Sequence, residues 1–282
     1  MLKSSFTLTV ILVMTGCASL MSSVTSDMAE NLTQAILNQN DLQTVRDGAP
    51  AYLLMIDSMI EGEPDNPRLL LSGAKLYASY TTLFVDDEDR AKRLSETSLK
   101  YARSALCQEI ERVCQALATK PAEFIETLAL VSRNELPVLY GFASAWAGWM
   151  QQNSADWNAL AELPKLTAIF ERCLDLDASF DNGGSHLYLA VLATQLPASL
   201  GGQPEKGRQH FERARELSSG HNLMVDVFMA QYYARIIFDK ELHDELLRTV
   251  LADTAAYPGF TLINTYAQQK ATKLLAESNE YF

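Results

Sequence analysis

The feature that most constrains this chain is a short motif that returns. Phe170-Glu-Arg-Cys173 recurs 41 residues later as Phe211-Glu-Arg-Ala214, and a degenerate third copy, Leu246-Leu-Arg-Thr249, follows 35 residues after that. An apolar helical segment precedes the second and third copies, Leu187-Tyr-Leu-Ala190 in one case and Val227-Phe-Met-Ala230 in the other. The first spacing is lengthened by Pro197-Ala-Ser-Leu-Gly-Gly-Gln-Pro204. A small residue on one helix and a large apolar one on the next, returning together, is the signature of stacked helix–turn–helix units. Tetratricopeptide repeats have this layout with a period of about 34 residues. The expected architecture is therefore all-α, a helical array of degenerate tetratricopeptide-like repeats that is clearest over 164–253. Units of this kind cannot bury their apolar faces alone, so neighbours must stack. Such arrays bind other molecules; the periodicity does not say which.

The start of the chain reads differently. Lys3 is the one charge before Cys17, Phe6 to Met14 is mostly apolar, and Met14-Thr-Gly-Cys17 closes the run. The run is too short to span a bilayer and has the form of a secretory signal. Small residues directly before a cysteine resemble a bacterial lipobox, so residues 1–16 are expected to be a signal peptide and Cys17 the lipidated residue. Acyl chains anchor at roughly 0.8 kcal/mol per buried methylene. Ala18, in a place where Asp would favour inner-membrane retention, points to the outer membrane. Residues 17–28 then form a tether, and 29–282 a single all-α domain in the periplasm.

Charge excludes one class of partner. Acidic residues outnumber basic ones 35 to 23, for a net charge of −12, and no basic cluster is present. Nucleic acid is thus not an expected partner. The run Asp86-Asp-Glu-Asp89 reads as the acidic start of a helix, because it lacks the spaced ligands and distal Glu of a calcium loop. The four histidines, at 186, 210, 221 and 243, show no pairing along a helix face, so no metal site and no cofactor is expected. Cys107 and Cys114 lie about 10 Å apart on a straight helix, beyond disulfide reach, whereas a break between them brings them close. Cys173 takes the small packing position of its repeat and is expected as a buried thiol.

Further helices are expected from Asp41 to Gly48, from Pro50 to Met59, from Leu69 to Phe84, from Asp87 to Ala105 and from Pro137 to Met150. A last helix, from Phe260 to Ala276, is expected to turn its Gln268-Gln-Lys270 face outward. Pro137 to Met150 is unusual in combining Trp146 and Trp149 with several small residues. With Tyr188, Tyr232 and Tyr233, these aromatics break the aliphatic pattern. Each joins a large apolar body to a polar handle, which suits a ligand wall or a partner surface. Together with the nearby His186, Asn222 and Arg235 they form the expected ligand- or partner-binding set, shared by three helices around one cavity or groove. Core packing is the competing account of the same residues.

Several of these segments together resemble the T-component lipoproteins of tripartite ATP-independent periplasmic (TRAP) transporters. They are Ala145-Trp-Ala-Gly-Trp149, Leu163-Pro-Lys165, His186-Leu-Tyr188, Leu200-Gly-Gly-Gln-Pro-Glu-Lys206, Ser218-Ser-Gly-His-Asn-Leu-Met224 and Tyr232-Tyr-Ala-Arg235. Cys173 and Gly207 depart from the family's usual Ala. The resemblance implies a lipid-anchored periplasmic protein that forms homo-oligomers and docks the transporter's solute-binding protein. It also implies a cavity that holds or passes a small ligand. A general periplasmic or outer-membrane assembly scaffold is the alternative. A hydrolase is the remote one, because no Gly-x-Ser-x-Gly elbow, His-Glu-x-x-His pair or phosphate loop is present; no catalytic residue is assigned.

Overall fold

Short polar side chains start the helices. In a computed structural model describing residues 31, 33–195 and 198–282, Asp41, Asn66, Asp87, Asp156 and Asp239 each accept hydrogen bonds from backbone N–H groups in the first turn that follows. Those N–H groups have no partner inside the helix, so each cap satisfies donors that would otherwise be left open. The helices are α1 (Leu42–Gly62), α2 (Pro67–Phe84), α3 (Glu88–Glu109), α4 (Glu111–Ala116), α5 (Pro121–Leu128), α6 (Leu136–Gln152) and α7 (Trp157–Ala161). They continue as α8 (Leu163–Asp177), α9 (Gly184–Ala193), α10 (Pro204–Leu217), α11 (Met224–Phe228), α12 (Lys240–Ala252), α13 (Thr261–Ala276) and α14 (Ser278–Tyr281). There is no strand among the described residues, and the fold is all-α. Signal, tether and Cys17 lie outside the described residues.

One expectation fails at the first helix. Gly48 does not end a helix and Pro50 does not begin one; both lie inside α1. A proline within a helix costs about 3 kcal/mol. The stripe Val45, Ala49, Leu53, Ile56 and Ile60 is buried along the whole of α1 and holds it together across that cost. Pro67, by contrast, sits in the first turn of α2, where its missing N–H costs nothing.

Cys107 and Cys114 are joined by a disulfide. Ile110, fully buried between them, has φ −132° and ψ 59°, which ends α3 and lets α4 start in a new direction. The break brings the two α-carbons to 4.9 Å. Cys173 is a buried free thiol, and burial pushes its pKa up to about 12.

The recurring motif falls on α8, α10 and α12. Phe170 and Phe211 are completely buried and Leu246 nearly so, while Ala190 and Ala230 are buried on the helices in front. Helix α9 packs on both α8 and α10. Three clusters of buried side chains follow one another along the chain. The first joins α1–α3, the second α2–α9 and the third α9–α13. The succession does not stay open. Leu262 of α13 lies in the first cluster, and the Gly259 N–H donates to Asn38 Oδ1 at 2.8 Å. The last long helix therefore packs against the first.

The turn before α9 is built from successive left-handed residues, Asp181, Asn182 and Gly183, with φ of 50°, 55° and 80°. Asp and Asn tolerate this region better than other residues with a side chain. The turn places Asp181 to accept the Tyr140 hydroxyl at 2.6 Å, which ties α6 to the start of α9.

Candidate functional site

The aromatic and polar residues singled out from sequence occupy several environments. Trp146 is buried on α6 beside Phe142, with ring centroids 5.3 Å apart. One turn on, Trp149 lines a cleft between α2, α3 and α6, with Thr81, Ser95, Ser98 and Gln152. The cleft offers about 10 Å³, space for one water-sized occupant. Tyr188, on α9, stacks on Phe170 at 4.5 Å, and Tyr140 meets both rings edge-on. Asn222 Oδ1 accepts the Met224 N–H at 3.2 Å and so acts at the start of α11.

His186 does not join these aromatics. Its Nδ1 lies 2.8 Å from Nδ1 of His210 on α10. Burial lowers the His186 pKa to about 4, and His210 and Arg213 push the same way. Burial also lowers His210; Lys206 adds to this and Glu171 opposes it. Both rings are therefore neutral at pH 7, one donating its Nδ1–H to the other. Sequence reasoning missed this pair because its members sit on different helices. The one available signal was that both precede repeat landmarks, Tyr188 and Phe211, by one or two residues.

The remaining residues gather beyond α11. Asn264, fully buried on α13, accepts the Leu223 N–H at 3.0 Å and donates to the His221 carbonyl at 2.8 Å. This fixes α11 against α13. The helix then widens into a π-turn over Met229–Ala234. Such turns occur mostly singly within α-helices, often at functional sites. Ala230, Tyr233 and Ala234 turn into the core, whereas Phe228 and Tyr232 remain half-buried at its margin, with ring centroids 5.5 Å apart. Tyr232 lies near Tyr266 of α13, and burial raises its phenol pKa, with Tyr266 adding to the effect. Arg235 places its guanidinium 4.3 Å from the Tyr281 ring centroid.

The outward polar face expected for α13 is only partly there. Gln269 is exposed, but Gln268 Nε2 donates to the carbonyls of Val250 and Asp253 at the end of α12. Lys270 is half-buried with its ammonium 5.4 Å from the Phe228 centroid. The open carbonyls of α12 draw Gln268 inward, whereas Lys270, about 200° further round the helix, lays its ammonium over Phe228 instead. A polar triplet carries no mark of this, since the partners belong to distant segments. The described residues hold no group of three or more His, Cys, Asp or Glu arranged for a metal ion.

The described residues form an all-α protein in which the singled-out aromatics and polar side chains lie in several separate environments. The family model for the TRAP transporter T-component matches residues 38–282, and the chain belongs to that family. It is an accessory component of TRAP transport, associated with a TRAP transporter at a periplasmic or membrane-associated location. No helix among the described residues is long and apolar enough to cross a membrane. The chain is also similar to an uncharacterized protein of Treponema pallidum (strain Nichols), 22% identical over 270 residues that cover 89% of this chain and 84% of that one.

Proposed function

We propose that this protein is the lipid-anchored periplasmic accessory of a TRAP-type uptake system, and that it docks the system's solute-binding protein. The family match over 38–282 carries this reading. The lipobox-like Met14-Thr-Gly-Cys17 supports the anchor at Cys17, and Ala18 supports the outer membrane. In this reading the half-buried aromatics Trp149, Tyr188 and Tyr232, with His186, Asn222 and Arg235, serve the partner or a small ligand held within the fold. Tetratricopeptide-like stacking supplies the scaffold, and homo-oligomers multiply the docking surface. The experiment is co-purification from membranes of the native host, with the solute-binding protein of a TRAP transporter of that host as bait. Recovery of this chain with that bait is expected, and Cys17→Ser should move it to the soluble fraction or leave it unprocessed. No recovery under gentle cross-linking would overturn the docking, and a processed Cys17→Ser protein that stays on the membrane would overturn the anchor.

A further inference from the structure

The helix that carries the π-turn closes on a place that favours glycine, and a phenylalanine stands there. The Asp239 N–H reaches back to the Ala234 carbonyl at 2.9 Å, and Phe238, directly before it, has φ 58°. A helix end of this form usually has glycine at the left-handed residue, because a side chain there is strained. Burial does not explain the phenylalanine, since Phe238 is 66% exposed. Strain of this kind is kept where a side chain is needed in one particular position.

Phe238 belongs to an aromatic face. Its ring centroid lies 5.2 Å from that of Phe282, and Phe282 lies 5.0 Å from Tyr281. Phe282 is half-buried and rests on the His243 ring of α12 at 5.2 Å, which ties the face to the core. Tyr281 and Ile237 are exposed. Single exposed apolar residues are ordinary, whereas a contiguous group marks a contact surface.

The charges beside these rings are of one sign. Asp239, Glu241, Glu277 and Glu280 lie within four residues of the rings in the chain, and none forms an ion pair with any described residue. The two cations of the same segments are engaged. Arg235 is half-buried with its guanidinium over the Tyr281 ring, and Lys240 bonds to Asp244 and the Ser278 hydroxyl.

We propose that this face docks a polypeptide partner that sets an apolar side chain among Phe238, Tyr281 and Phe282 and flanks it with lysine or arginine. Aromatic rings supply the apolar centre of such a contact, and complementary charge around it steers encounter and fixes register. A second copy of the chain is disfavoured here, because it would bring the same net charge of −12 and the same unpaired carboxylates. The face rests on its own observations; this contact and docking of a solute-binding protein can each fail alone.

The test selects random dodecapeptides displayed on phage for binding to the purified chain, then discards those that bind Phe238→Gly equally. Glycine suits the left-handed place, so this variant should fold and melt close to wild type. Peptides that depend on Phe238 should carry lysine or arginine around apolar residues. By fluorescence anisotropy, the strongest of them should bind Phe238→Gly and Tyr281→Ser about tenfold or more weakly. Glu280→Lys and raised salt should each weaken binding too. Absence of any peptide that depends on Phe238 or Tyr281 would overturn the face. Acidic flanks on the selected peptides, or unchanged affinity in Glu280→Lys, would overturn the basic partner. A dimer seen in sedimentation and lost in Phe238→Gly would put a second copy on the face and overturn the proposal as well.

Discussion

Replacing Asp244 by Asn should destabilise the C-terminal helices through charge rather than shape. Asp244 is buried on α12. Its Oδ1 accepts from His243 Nδ1 at 2.9 Å and from the Ser278 hydroxyl at 2.6 Å; its Oδ2 accepts from Lys240 at 3.3 Å and Arg248 at 3.1 Å. Ser278 opens α14, so this one carboxylate fastens α14 to α12. Burial alone would raise its pKa. The hydrogen bonds from Ser278, His243 and Lys240 outweigh burial and hold it at about 2, against an ordinary 3.8. A difference of that size contributes about 2 kcal/mol to stability at neutral pH. Because the folded-state value is the lower one, the contribution is complete above the unfolded-state value. It declines as the pH falls through the interval between the two. Asp244→Asn should therefore cost about 2 kcal/mol at pH 7, or a melting-temperature drop of about 4–8 °C for a chain of this size. Near pH 3 the gap between wild type and variant should shrink to about half. Urea unfolding followed by circular dichroism at both pH values measures the gap, and hydrogen exchange in α12 and α14 locates it. A gap of the same size at pH 7 and pH 3 would show that the loss is steric, and the linkage argument would fall.

Reduction of the Cys107–Cys114 disulfide, or its replacement by two serines, frees an eight-residue loop and should cost about 2.5 kcal/mol by chain entropy; identical thermal melts with and without reductant would refute this. Phe170→Ala and Phe211→Ala each empty a fully buried site and should cost about 3–5 kcal/mol in denaturant titrations, whereas a cost below about 1 kcal/mol would remove these residues from the core of the helix pairs. Gly207→Ala gains about 1 kcal/mol of helix propensity. Its Cβ, however, would sit 2.5 Å from Thr194 Cγ2 and 3.1 Å from the Ala190 carbonyl oxygen. Thr194 is buried and its hydroxyl is held by that same carbonyl, so it cannot yield; a net loss of about 1 kcal/mol is expected, and a stabilised variant would contradict the close α9–α10 contact.

Much of the fold was legible in the order of residues because helices are local. The caps at Asp41, Asp87 and Asp156, the proline starts of α2 and α10, and the left-handed turn at 181–183 are set within four or five residues. The repeated Phe and Ala positions were readable for a similar reason, since a repeating unit needs the same apolar residue wherever it meets its neighbour. Only the tertiary structure decided what crosses between units. Pro50 could be kept inside α1 because a distant core buries the whole stripe around it. His186 met His210, and Asp244 met Ser278, across separations of 24 and 34 residues. Helix propensity and capping act along the chain and can be read there. Partners for polar side chains are supplied by whichever helix packs alongside, and the contact between α13 and α1 that closes the succession is written in no local pattern.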